Sequence, residues 1–130
     1  MSETWHRLLA HQDKIRNTAN TGRCFGLELY PPDFMKDKRW YYMACMEVTS
    51  LTIPLPFHLV TRFIPASRYV KFTVTGPVTE IGSAFRYVYD EWLPQSGVKV
   101  ASPYDLELYD DRFKGPENEQ SQTDILLPVV

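Results

Sequence analysis

The stretch from Arg68 to Gly97, RYVKFTVTGPVTEIGSAFRYVYDEWLPQSG, limits the possible folds more than any other part of the chain. Val70, Phe72 and Val74 alternate with Tyr69, Lys71, Thr73 and Thr75, the period of a strand with two unlike faces. Gly76-Pro77 ends that strand, because proline cannot donate to the ladder. Thr79 caps or opens a helix. Ile81, Phe85, Val88 and Trp92 follow at steps of four, three and four and so share one helical face. Pro94 and Gly97 stop the helix. A strand, a break, an amphipathic helix and a second break predict an α+β domain.

The remaining elements follow in chain order. Ser2 to Ile15 reads as a first helix, with Trp5, Leu8, Leu9 and Ile15 on its apolar face. The cluster from Asn17 to Arg23 is a turn. Cys24 to Tyr30 is a strand with Phe25, Leu27 and Leu29 on one side and Cys24, Gly26, Glu28 and Tyr30 on the other. Trp40 to Ser50 is the next strand, with Tyr41, Met43, Cys45 and Glu47 on one face. Thr52 to Pro65 holds three prolines and reads as an extended crossover with a short strand. Tyr104 to Tyr109 is a strand whose Leu106 and Leu108 face the core, while Asp105, Glu107 and Tyr109 face away. Asp110 to Thr123 reads as a polar, mobile loop, and Asp124 to Val130 as the last strand.

Composition excludes several functions. At 130 residues the chain is one domain. The net charge of −2 leaves no basic stripe for a phosphate backbone, so direct nucleic-acid binding is not expected. No apolar run approaches the length of a membrane span, and no signal peptide is evident. With only Cys24 and Cys45, a reduced cytoplasmic location is expected. His6, His11 and His58 have no ligand spacing, so neither a metal nor a cofactor is expected. Aromatic residues make up 14% of the chain, which suits both a β core and a small-molecule pocket.

Six short motifs occur in a telling order: Phe25-Gly26-Leu27, Tyr42 to Val48, Tyr69 to Gly76, Tyr89 to Gly97, Asp105 to Tyr109, and Asp124 to Val129. Together they resemble the GyrI-like small-molecule-binding family, the effector-binding domain of bacterial transcription activators of the AraC and MerR types. The resemblance implies two βαββ units, residues 1–66 and 67–130, related by a pseudo-twofold. They would form a curved antiparallel sheet with two main helices. By that comparison the first strand of the first unit is missing, since the chain begins at the helix. A sheet edge left open in this way favours pairing with another chain, so a homodimer through that edge is expected.

The resemblance also implies a function: binding of lipophilic, cationic aromatic molecules between the two units. By motif position Glu107 matches the family's pocket glutamate, with Trp92 and Tyr109 as companions and Glu47 next. Tyr41, Tyr69 and Tyr89 are further candidates for ring faces. The chemistry is consistent, since a carboxylate among aromatic walls attracts a desolvated cation. Read without the resemblance, Glu107 is a solvent-facing strand residue and Trp92 a core residue. The reading is therefore a non-enzymatic binder, a stand-alone sensor or the ligand domain of a regulator. Two alternatives stand beside it. One is a hydrolase of strained electrophiles that uses Glu107 as a base. The other is a gyrase-inhibitor-like module that meets a protein through the acidic region of Asp105, Asp110, Asp111, Glu117 and Glu119.

Overall fold

The computed structural model describes residues 2–19, 21–51 and 54–130. Its helices are α1 (Ser2–Ala10), α2 (Phe34–Asp37), α3 (Ile81–Tyr87) and α4 (Leu93–Ser96). Its strands are β1 (Cys24–Leu29), β2 (Tyr41–Met46), β3 (Arg68–Thr75), β4 (Tyr104–Tyr109) and β5 (Gln122–Val129). They form one sheet in the order β2-β1-β4-β5-β3, and every pairing is antiparallel. The architecture is the expected α+β fold.

The sheet order is symmetric about the β1–β4 pair except at one edge. β1 and β4 pair at the middle, β2 flanks β1, and β5 flanks β4. Outside β5 lies β3, whereas among the described residues no strand lies outside β2. The pivot is the pair Leu27–Leu106, directly opposite each other in the β1–β4 register. Both are buried and join Tyr104 in a cluster on the back of the sheet, packed by Phe25, Met43, Ile64 and Tyr69. A second cluster on the front joins Val88, Leu127 and Val129, with Phe72 and Trp92 packed against it.

Several elements differ from the sequence reading, among them a second strand that ends at Met46 rather than Ser50. The first helix stops at Ala10, and a 3-10 turn covers Gln12–Lys14 before Ile15 turns extended and is buried. His11 explains the stop, because its ring Nδ1 occupies the Arg7 carbonyl at 2.8 Å in place of a continuing backbone donor. The crossover shows no strand over 54–66, and Thr52 and Ile53 lie outside the described residues. It links strands at opposite edges of the sheet, placing Ile64 in the back cluster and leaving Phe57, Val60 and Phe63 exposed. The expected mobile loop after β4 is pinned where Arg112 bridges Asp110 and the buried Asp124 at 2.9 and 2.5 Å. The buried Ser121 hydroxyl ties it again, accepting from the Lys114 amide and donating to the Gly115 carbonyl.

The long helix is interrupted as well. Between α3 and α4, Val88–Trp92 forms a π-helical turn, in which the Leu93 amide reaches back to the Val88 carbonyl. Pro94 accounts for it: the ring has no N–H and needs room beside the carbonyl one turn earlier, which a wider turn provides. Gly97 then ends the helix at φ 71°, a left-handed conformation that glycine adopts without a Cβ penalty.

Candidate functional site

A cleft of about 730 Å³ opens on the front of the sheet between α1 and α3. Its floor is built from β1 and β4. Strand alternation sends Cys24, Gly26 and Glu28 of β1 and Asp105, Glu107 and Tyr109 of β4 to this side. One correction follows: the β4 face expected to look outward lies beneath the helices. Glu107 is 2% exposed, Glu28 3% and Asp105 0%. Asp105 therefore drops out of any exposed acidic patch, and Asp110 is engaged by Arg112.

The three carboxyls are neighbours by register. Glu28 stands opposite Asp105, and Glu107 stands opposite Gly26. Gly26 is required by this crowding, because a Cβ there would lie 2.5 Å from the Tyr42 hydroxyl and 3.0 Å from Glu107 Oε1. Phenols supply the hydrogen bonds that buried carboxyls need. Tyr109 and Tyr42 donate to Glu107 Oε1 at 2.5 and 3.3 Å. Tyr30 donates to Asp105 Oδ2 at 2.8 Å, and Tyr89 donates to the same oxygen. Trp5 donates its indole N–H to the Tyr42 hydroxyl at 2.8 Å.

Electrostatics follow from burial. Burial and the adjoining Asp105 hold the Tyr30 and Tyr89 hydroxyls above the ordinary tyrosine range, so both stay donors. Burial and Glu107 do the same for Tyr42 and Tyr109. Glu28 is raised far above the usual carboxylate range, first by burial and then by the neighbouring Glu107 and Asp105. Asp105 is also raised by burial, against the opposing influence of Glu28 and of the hydrogen bonds from Tyr89 and Tyr30. Burial keeps the Cys24 thiol, also in the cleft, above its usual value.

The walls are aromatic. Phe113 meets Tyr109, and Tyr109 meets Trp5, at 5.0 and 5.3 Å between ring centroids. On the other side Trp40 meets Tyr42 and Tyr30, Tyr30 meets Tyr89, and Tyr89 stacks on Phe85. Ile81, Phe85 and Tyr89 recur every four residues along the helix side of the cleft. No lysine or arginine occurs among the described lining residues.

Of the residues proposed from sequence, Glu107, Tyr109 and Tyr89 come together in this cleft. The other four lie elsewhere. Trp92 packs edge-on against Phe72 at 4.9 Å in the front core, turned from the cleft side of its helix. Tyr69 points to the back of the sheet and shares a hydrogen bond with the Tyr104 hydroxyl at 2.8 Å. Tyr41 is largely exposed on edge strand β2. Glu47 lies past the end of β2, paired with Arg23 at 2.8 Å near the surface. Sequence reasoning missed Glu28, Tyr30, Tyr42 and Trp5. A signal was present for the first two: Leu27-Glu28-Leu29-Tyr30 and Leu106-Glu107-Leu108-Tyr109 are the same four residues, one copy in each half.

The family pattern of the GyrI-like small molecule binding domain matches residues 1–130. The chain belongs to this family. It is a GyrI-like small-molecule-binding domain. The chain is 27% identical over 129 residues to the transcriptional regulator BrlR of Pseudomonas aeruginosa, covering 99% of this chain and 46% of that protein. It thus spans about half the length of the curated relative it matches. The solved structure of SAV2435 bound to tetraphenylphosphonium has the same fold, with a TM-score of 0.71 at 20% identity. That match covers 99% of this chain and 74% of SAV2435. Among the described residues no helix is long and apolar enough to cross a membrane.

Proposed function

We propose that this GyrI-like domain binds lipophilic aromatic cations in the cleft between α1 and α3, without chemical conversion. The carrying observation is a pair of buried glutamates, Glu28 and Glu107, set in an aromatic-walled cleft that no lysine or arginine lines among the described residues. A permanent cation gains from both parts: ring faces give on the order of 1–2 kcal/mol when desolvated, and the carboxylate neutralises a charge that water no longer solvates. Glu107 is the main counter-charge in this reading, with Tyr109 and Tyr89 as walls. Tetraphenylphosphonium, bound in the SAV2435 structure, has the matching chemistry. The hydrolytic alternative fits less well, because two phenols already donate to Glu107 Oε1 and occupy the oxygen that a water would need. Likeness to a transcriptional regulator supports a sensing role. Two free cysteines suit a reducing cytoplasm.

Calorimetric titration tests the reading. Tetraphenylphosphonium should bind at least about tenfold more tightly than neutral triphenylphosphine oxide, a difference of about 1.4 kcal/mol. Equal binding of the two would remove the electrostatic basis. The outer edge of β2, unpaired among the described residues, supports one further reading, a homodimer formed by strand pairing at that edge. Sedimentation that stays monomeric to high concentration would end it.

A further inference from the structure

With the cleft read as a cation site, we propose that Glu28 and Asp105 hold one shared proton in the empty cleft, and that a bound cation takes its place. Geometry carries this. Glu28 Oε2 and Asp105 Oδ1 are buried, and neither has a donor among the described residues. The two residues stand directly opposite each other in the β1–β4 register, with both side chains on the cleft side of the sheet. Two carboxylates so placed cannot both be ionised without a counter-charge, whereas one proton between them satisfies both orphaned oxygens. The raised titration of Glu28 agrees with that arrangement.

The groups around Glu28 leave few other sources of charge. Tyr30 and Cys24 come from β1, Tyr42 from β2, and Asp105, Glu107 and Tyr109 from β4. Tyr89 comes from the π-helical turn, Asp110 follows β4, and His6 comes from α1 at the exposed rim. The tyrosines and the thiol are held protonated. Asp110 is held below its ordinary value by Arg112 and stays ionised. The exchange is balanced: the O–H bond of the shared proton breaks, the proton passes to buffer, and the electron pair stays on the carboxylate that now faces the cation. The net charge of the cleft is the same before and after. Affinity for a permanent cation then rises with pH.

The test is titration of the whole domain with tetraphenylphosphonium in two buffers of different ionisation enthalpy, repeated across pH 6 to 8. About one proton should be released per cation bound, and affinity should rise about tenfold per pH unit while the empty cleft keeps its proton. Histidine exchanges protons near neutrality, so the same titrations on His6→Gln should still show the release. Glu28→Gln, which keeps the shape and cannot ionise, should abolish it and flatten the pH dependence. Infrared spectra of the wild-type domain give a readout independent of any variant: a protonated carboxyl band at neutral pH that disappears as the cation is added. Equal binding heats in the two buffers with an affinity flat across pH 6 to 8 would overturn the exchange and leave the cation site standing. Failure of the cation to bind at any pH would overturn both.

Discussion

Two strands at the centre of the sheet carry Leu-Glu-Leu-Tyr, and the two copies of that tetrapeptide do different things. In β4, Glu107 accepts from the tyrosine of its own repeat, Tyr109, and from Tyr42. In β1, Tyr30 turns instead to Asp105, and Glu28 is left between two carboxyls. The cause is the residue one place before each repeat. Gly26 has no side chain, so the Tyr42 phenol can approach Glu107. Asp105 fills the equivalent place and draws two phenols away from Glu28. Local sequence alone does not set the chemistry of a strand glutamate; its cross-strand neighbour does.

The pivot between the copies gives the largest expected effect. Leu27→Ala, at a position 1% exposed, should lower the unfolding free energy by about 3 kcal/mol in urea denaturation. A loss below about 1 kcal/mol would mean that the back cluster collapses around the gap. Gly26→Ala attacks the asymmetry itself. The new Cβ meets the Tyr42 hydroxyl and Glu107, so about 2 kcal/mol of destabilisation is expected, along with weaker cation binding as Tyr42 is displaced.

Glu28→Gln should act in the opposite sense. A carboxyl raised on folding contributes stability that is full below its unfolded value, 4.5, and is lost as pH rises toward the folded one. Wild-type stability should therefore fall between pH 5 and 8, by up to about 1.4 kcal/mol per unit for one proton. The glutamine variant should be more stable at pH 7 and should flatten that slope, as measured by denaturation at several pH values. An unchanged slope would show that Glu28 is ionised after all. The smallest effect belongs to Glu47→Gln. Its surface pair with Arg23 is worth under about 1 kcal/mol, and cation affinity should stay within about twofold of wild type.

Much of the fold was legible because it rests on periodicity. Alternation marked β1, β3 and β4, the Gly76-Pro77 break marked the start of the helix, and the motif order placed them in one family. The site was legible only in part. Of the residues that line the cleft, Glu107 and Tyr109 could be named from motif position, and Tyr89 as a candidate ring face. Trp92 falls on the apolar stripe with Ile81 and Phe85, but the π-helical turn before Pro94 adds a residue to the winding and turns Trp92 onto Phe72. Glu47 and Glu28 each interrupt an apolar strand pattern, and nothing local separates them. Only the pairing of β1 with β4 carries Glu28 under the helices, while Glu47 runs past the end of β2 to Arg23. The repeated Leu-Glu-Leu-Tyr was the available clue, and it names Glu28 once the two halves are laid side by side.

The most direct measurement compares Glu107→Gln with the wild-type domain in titrations with tetraphenylphosphonium and with neutral triphenylphosphine oxide. The substitution preserves shape and one acceptor oxygen for the two phenols while removing the charge. A loss of about tenfold or more in cation affinity, roughly 1.4 kcal/mol, with neutral binding unchanged, is the expected result. Equal affinities for the cation in variant and wild type would contradict the cleft's role as an electrostatic cation site.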